Sequence, residues 1–215
     1  MRSVYVKMFF GLLVTAAIAW LVANVATGQQ FMTYMVYHRW VYWGLAIAEI
    51  GLVMYISARL TRMNPSTATA LFYLFALVNG LTLSLIFAVY TPVSIFKTFL
   101  ITAGTFGAMS VYGYFTEKDL TRIGSILTMA LFGLIICCVV NIFWANSTFE
   151  WIVSGLGVII FIGLTAYDTQ KIKNIAEQAP GFDSSRLATI GALNLYLDFI
   201  NLFLMLLRFF GNSRN

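Results

Sequence analysis

Charge is what this chain has least of. Asp, Glu, Lys and Arg together make up 10% of its 215 residues, against roughly 25% in an ordinary soluble domain. A surface so poor in charge does not face water. Cysteine is nearly absent too, and the only two, Cys137 and Cys138, are neighbours inside an apolar run. Adjacent cysteines rarely bridge and no zinc-type spacing exists, so they read as small buried hydrophobes. The one histidine, His38, sits among aromatics in a short connection and reads as interfacial. No linker marks a second domain. No cleavable signal is evident, because the first apolar run lacks a small-residue cleavage site.

What is present is apolar length. Hydrophobic residues make up 60% and the mean hydropathy is +0.86. Crossing the hydrocarbon core takes roughly 20 apolar residues as a helix, and seven runs suffice: Val4–Thr27, Val36–Leu60, Thr67–Tyr90, Val93–Phe115, Arg122–Trp144, Trp151–Gln170 and Leu187–Phe210. β-Barrel strands would be about half as long and would alternate strictly; these runs do not. The expectation is an all-α membrane protein, one integral domain over residues 1–215. Tyr34, Tyr37, Trp40, Trp144 and Trp151 fall at run ends, where aromatic anchors gather. Pro92 can begin a helix without losing a hydrogen bond, Asn64-Pro65-Ser66 marks a turn, and Ala179-Pro180-Gly181 breaks the polar stretch Lys171–Arg186.

The net charge of +5 reads as topology rather than nucleic-acid binding, since the basic residues lie in short connections. With the N-terminus cytoplasmic, that side collects Arg2, Lys7, Arg59, Arg62, Lys118, Arg122, Lys171, Lys173 and Arg186. The other side has Arg39, Lys97, Arg208 and Arg214. Seven full spans leave Arg208 and Arg214 outside, against this bias; a re-entrant helix 7 would bring them back. The length of Leu193–Phe210 favours the full span.

Ionisable groups inside a bilayer cost at least about 2.5–3.5 kcal/mol each at the helix centre. Three acids incur that cost: Glu49 midway along helix 2, Asp168 near the end of helix 6, and Asp198 in helix 7. Asn194, Asp198 and Asn201 fall at i−4, i and i+3, one stripe of a helix. Thr165, Asp168 and Thr169 form a similar stripe, and Asn79 and Thr82 share a face of helix 3. Polar stripes on embedded helices turn inward, so a polar interior with helix 7 central is expected. The asparagines serve equally as interhelical hydrogen-bond glue, and Glu49 as a protonated structural carboxyl. Counting from Leu187 puts Asp198 roughly 16 Å deep, with Asp168 about one turn from the same surface; the two depths converge if the boundary lies nearer Leu193 or if helix 6 continues through Lys171–Asn174. Six glycines (Gly104, Gly107, Gly133, Gly155, Gly157 and Gly163) suggest close helix packing.

At Gly163–Lys173 (GLTAYDTQKIK) and Leu193–Phe210 (LNLYLDFINLFLMLLRFF) the chain closely resembles the Bax inhibitor-1 family, the transmembrane Bax inhibitor motif proteins. Asn79–Ser84 (NGLTLS) and Gly107–Leu120 (GAMSVYGYFTEKDL) extend the resemblance over nearly the whole chain, and the short connections look like the bacterial branch, implying a cell inner membrane. The resemblance implies seven helices with the seventh surrounded by the rest, and a pH-sensitive calcium leak. It implies that Asp168 and Asp198 form a hydrogen-bonded, proton-sharing pair on the cytoplasmic side, with a basic partner at the end of helix 2. Arg59 or Arg62 fits that place, and Arg59 is taken as nearer the membrane. Glu49, Asn194 and Asn201 join the pair as ion-pathway candidates. Asp168 and Asp198 are candidate transient ligands for Ca²⁺, a hard cation that takes oxygen donors. Calcium, protons and lipid are the expected partners; no resident cofactor is expected.

Other readings compete. An intramembrane aspartyl protease lacks its Gly-x-Gly-Asp context here, since Leu195-Tyr196-Leu197 precede Asp198, and no enzyme activity is expected. A retinal-binding protein fails because Leu187–Phe210 has no lysine. A proton-coupled transporter uses interior carboxyls as well, though no inverted repeat supports it. A non-conducting membrane regulator of stress responses is the remaining alternative.

Overall fold

Helices account for nearly all of the chain. A computed structural model describes residues 1–59, 62–144, 146–178 and 184–212, with the side chains of Gln178 and Ser184 outside that description. The helices are α1 (Arg2–Asn24), α2 (Ala26–Tyr37), α3 (Arg39–Arg59), α4 (Pro65–Leu83), α5 (Ile86–Val89), α6 (Pro92–Phe115), α7 (Thr121–Trp144), α8 (Ser147–Gln178) and α9 (Ser184–Phe210). Among the described residues, seven spans are long and apolar enough to cross a membrane: α1, α3, α4 together with α5, α6, α7, α8 and α9. The protein is an all-α, multi-span membrane protein.

The starts follow local chemistry. Pro65 and Pro92 occupy first helical positions, after Asn64 and Thr91, where a missing N–H costs nothing. The Thr91 hydroxyl accepts the Ser94 amide at 3.3 Å. Asp119 Oδ1 accepts the Thr121 amide at 2.9 Å just before α7, and Asn146 Oδ1 accepts that of Phe149 at 3.0 Å as α8 begins.

Four boundaries differ from the hydropathy reading. The first span ends at Asn24 rather than Thr27, because Val25 adopts an extended conformation. Val36 and Tyr37 belong to the separate helix α2, so the second span begins at Arg39. No Gly or Pro stands at either break, which is why apolar length alone misses them. The third run is interrupted at Ser84–Leu85, where the Ser84 hydroxyl turns back to the Leu81 carbonyl at 2.6 Å. Helix α8 continues eight residues past Gln170, so Lys171–Gln178 is helix rather than loop. The Ala179-Pro180-Gly181 break, Leu60 and Arg214 lie outside the described residues. Helix α9 is continuous over 27 residues, about 40 Å at 1.5 Å per residue, with no break at which to turn back. It is the most enclosed span: 72% of its apolar window is buried, against 6% for α3 and α7.

The chain groups into two compact units. One holds Met1–Tyr90 with Gly181–Leu193. Here α1 lies along α4: the Thr15 hydroxyl donates to the Ala76 carbonyl at 2.8 Å, and a Cβ on Gly80 would meet the Thr15 carbonyl at 2.8 Å. The Lys7 ammonium donates to Thr69 Oγ1 at 2.9 Å, Thr189 Oγ1 at 2.7 Å and the Ser185 carbonyl at 3.2 Å. That ties the first turns of α9 to α1 and α4.

The other unit holds Thr91–Pro180 with Asn194–Ser213. Phe199 on α9 meets Phe99 and Phe106 of α6 edge-on, with centroids 5.5 and 5.4 Å apart, an arrangement favoured by the ring quadrupoles. At the far end of α9, Phe209 stacks on Trp151 of α8 at 4.6 Å. Of the six glycines singled out from sequence, Gly155, Gly157 and Gly163 do press on side chains of neighbouring helices. Gly104, Gly107 and Gly133 do not: a Cβ there would meet nothing within 4 Å. Tight packing falls instead at Gly113, whose Cβ would collide with the Ala166 backbone, and at Gly124, whose Cβ would enter the Tyr167 ring.

Candidate acidic site

Ala166 and Tyr167 immediately precede Asp168, so the close approach of α6 and α7 at Gly113 and Gly124 sets the position of that stretch of α8. A second pair of contacts fixes its rotation. Gln170 Oε1 accepts the buried Leu120 amide at 2.9 Å, and its Nε2 donates to the Lys118 carbonyl at 2.8 Å. One turn on, the Lys173 ammonium donates to the Tyr114 carbonyl at 3.0 Å and lies 5.0 Å from the centre of the Tyr114 ring. These bonds carry α8 past the apolar run as helix.

Asp198 stands on α9 within the same unit, only 6% exposed. The Asp168 carboxyl lies close enough to act on it electrostatically. Among the described residues Asp198 Oδ2 has no hydrogen-bond partner, so that oxygen contributes no bond to an acidic pair. Lys171, three residues along from Asp168, brings a positive charge near that carboxyl, and its ammonium lies 5.6 Å from the centre of the Tyr167 ring. Asn194 and Asn201 are half-buried on the same stripe of α9 as Asp198.

Glu49 belongs to the other unit, where its surroundings differ. Asn79 Nδ2 donates to Oε2 at 3.0 Å and the Thr82 hydroxyl donates to Oε1 at 2.5 Å. The polar face of helix 3 noted in the sequence is therefore the cradle of this carboxyl. Arg59 is exposed in the last turn of α3, its guanidinium 5.7 Å from the centre of the Tyr55 ring on its own helix. Arg62 follows in the turn beyond α3, its amide bonded to the Arg59 carbonyl.

Calcium takes six to eight oxygen ligands when held firmly. Among the described residues, no group of three or more His, Cys, Asp or Glu side chains forms a metal site.

Three features of the site escaped the sequence reading. Lys171 was counted only for topology, although its i+3 spacing from Asp168 is a visible signal. Gln170 and Gly113 carry no mark in a single sequence, because their value lies in what approaches them. Elsewhere on α6, Ser110 has a buried hydroxyl oxygen with no partner among the described residues, which composition does not reveal. Near the opposite end of α9, Arg208 reaches Cys138; both cysteines are free thiols, half-buried rather than enclosed.

The family model described as "Inhibitor of apoptosis-promoting Bax1" matches residues 1–215, the whole chain. The chain belongs to the Bax inhibitor-1 family. It is 49% identical to "Inner membrane protein YbhL" of Escherichia coli K12 over 217 aligned residues, covering all of this chain and 92% of that protein. An uncharacterized protein of Borreliella burgdorferi is 44% identical, again over all of this chain and 92% of the relative. An uncharacterized protein of Rickettsia prowazekii is 41% identical over 93% of this chain and 86% of its own length. As a Bax inhibitor-1 family member the protein falls in a family of membrane proteins, and its aspartates lie in the two segments that carried the resemblance.

Proposed function

We propose that this protein is a pH-sensitive calcium leak of the bacterial inner membrane, its N-terminus cytoplasmic, with Asp168 and Asp198 as the proton-sharing sensor. The observation that supports the reading is a carboxyl, Asp198, only 6% exposed in an apolar span and within electrostatic influence of the Asp168 carboxyl. Two carboxyls in electrostatic range do not both ionise cheaply, and they share a proton. Losing it leaves two negative charges that repel one another or attract a divalent cation. The unpartnered Oδ2 of Asp198 is free for a proton, a water or a passing ion. Asn194 and Asn201 extend the polar stripe along which an ion moves, and Glu49 supplies a further acidic station. A leak requires binding weak enough to release the ion. Protonation then biases the packing of α9 between closed and conducting arrangements.

The test is calcium flux into liposomes across a pH series, for the wild type, Asp168→Asn, Asp198→Asn and the double variant. The expected result is protein-dependent flux whose pH midpoint moves in each single variant and whose pH dependence is lost in the double. An unchanged pH profile in the double variant would remove the aspartates from gating. No flux at any pH from folded, inserted protein would favour a transporter or a non-conducting regulator. Arg59→Gln is the corresponding variant for the basic partner that the resemblance assigns.

A further inference from the structure

Helix α2 is too short to cross a membrane and too closely tied to leave one. Its 12 residues rise about 18 Å, against a hydrocarbon core of about 30 Å. Val25 alone joins it to α1 and His38 alone to α3, so each end lies one residue from a spanning helix. The junction is also pinned. Gln29 Nε2 donates to the Ala23 carbonyl at 3.1 Å, Asn24 Nδ2 to the Trp20 carbonyl at 2.8 Å, and a Cβ on Gly28 would stand 2.5 Å from the Val22 backbone.

The two faces of α2 differ. Gly28, Phe31, Met32 and Met35 fall at i, i+3, i+4 and i+7 and are the shielded side, Met35 being 1% exposed. Gln29, Gln30, Thr33, Tyr34, Val36 and Tyr37 are exposed. The helix contains no Asp, Glu, Lys or Arg. A face in bulk water ordinarily carries charge, and a face in hydrocarbon does not carry two adjacent glutamine amides. Uncharged amides, hydroxyls and phenols beside aromatic rings suit the layer between, where phosphate and ester oxygens accept hydrogen bonds. The aromatic row continues past the helix end: Tyr34 stacks on His38 at 4.1 Å, Tyr37 is 80% exposed and Trp40 68%. Arg39 places a cation among them.

We propose that α2 lies in the membrane plane as an interfacial helix, its glutamine, threonine and tyrosine face seated among phospholipid headgroups. On the adjoining helices α1 and α3, Trp20, Leu21 and Trp43 are exposed as well.

The experiment uses full-length protein in phosphatidylcholine and phosphatidylglycerol vesicles. Single nitroxide labels replace Gln30, Thr33 and Tyr37 in a background carrying Cys137→Ser and Cys138→Ser, checked for native helix content. Labels at Ile47 on α3 and Lys118 in the α6–α7 connection give hydrocarbon and water references. The expected result is collision with oxygen and with a water-soluble nickel chelate in a ratio between the references at all three positions. Nickel-dominated collisions like those at Lys118 would overturn the proposal, as would oxygen-dominated collisions like those at Ile47. Low collision with both reagents would place protein over the face and overturn it as well. A second measurement needs no substitution: photoreactive phospholipids with the reactive group in the headgroup should label the peptide around Gln29–Trp40 severalfold more than lipids reactive at the acyl terminus. Equal or reversed labelling would reject the headgroup placement.

Discussion

Glu49 and Asp198 are both carboxyls set inside apolar spans, and they are held in opposite ways. Both oxygens of Glu49 receive hydrogen bonds, from Asn79 and Thr82. Asp198 is more deeply buried, lies within electrostatic influence of a second acid and leaves Oδ2 without a partner among the described residues. A carboxyl with its acceptors filled contributes to a fixed structure. One with an open acceptor beside another acid carries a standing cost, and a group of that kind is suited to changing state. The contrast separates two uses of the same residue type that composition and depth alone do not distinguish.

The strongest way to break the comparison is to empty the Glu49 cradle. Asn79→Leu combined with Thr82→Val is expected to lower stability by roughly 1–3 kcal/mol, since it strips both donors from a half-buried carboxyl. The readout is thermal unfolding of the purified protein in detergent, followed by circular dichroism. An unchanged midpoint would put Glu49 in the same class as Asp198. Similar in size is Gln170→Leu, which strips the Leu120 amide and the Lys118 carbonyl of their partner. Its expected cost is about 1–3 kcal/mol in the same melt, and a neutral result would mean that α8 is held by helix packing alone. Asp198→Leu should move the other way, raising stability by about 1 kcal/mol by removing an unpartnered buried oxygen. A marked loss would show that Asp198 is as firmly bonded as Glu49. The smallest effect is expected from Thr82→Ser, which keeps the hydroxyl and should stay within about 0.5 kcal/mol of the wild type; a larger loss would mean that the methyl, not the hydrogen bond, is what matters there.

Much of this arrangement was legible from residue chemistry. Scarce charge and seven apolar runs indicated the spans, and the i−4, i, i+3 spacing around Asp198 indicated a polar stripe. The neighbouring positions of Asp168 and Asp198 were reached only through the family resemblance, because depth counting depended on where helix 6 ended. That end was hidden by the polarity of Lys171–Gln178: the sequence looks like a loop, and it is helical because Gln170 and Lys173 find partners across the unit. The break at Val25 was invisible for the opposite reason, since nothing in its side chain stops a helix. Glycines misled in both directions. Gly104 and Gly133 attract notice in apolar runs, yet a Cβ at either would meet no described atom within 4 Å, while Gly113 and Gly124 matter through the backbone and ring that press on them.

The two bonds made by Gln170 also have a mechanical consequence. Two residues on a helix cannot turn independently: each residue step is fixed at about 100°, so the azimuth of Asp168 is locked to that of Gln170. The Lys118–Leu120 segment, which grips Gln170, thus acts as a dial stop for the acid. A ligand or modification that pulled this short segment away would release the helix to rotate, reorienting Asp168 without touching it.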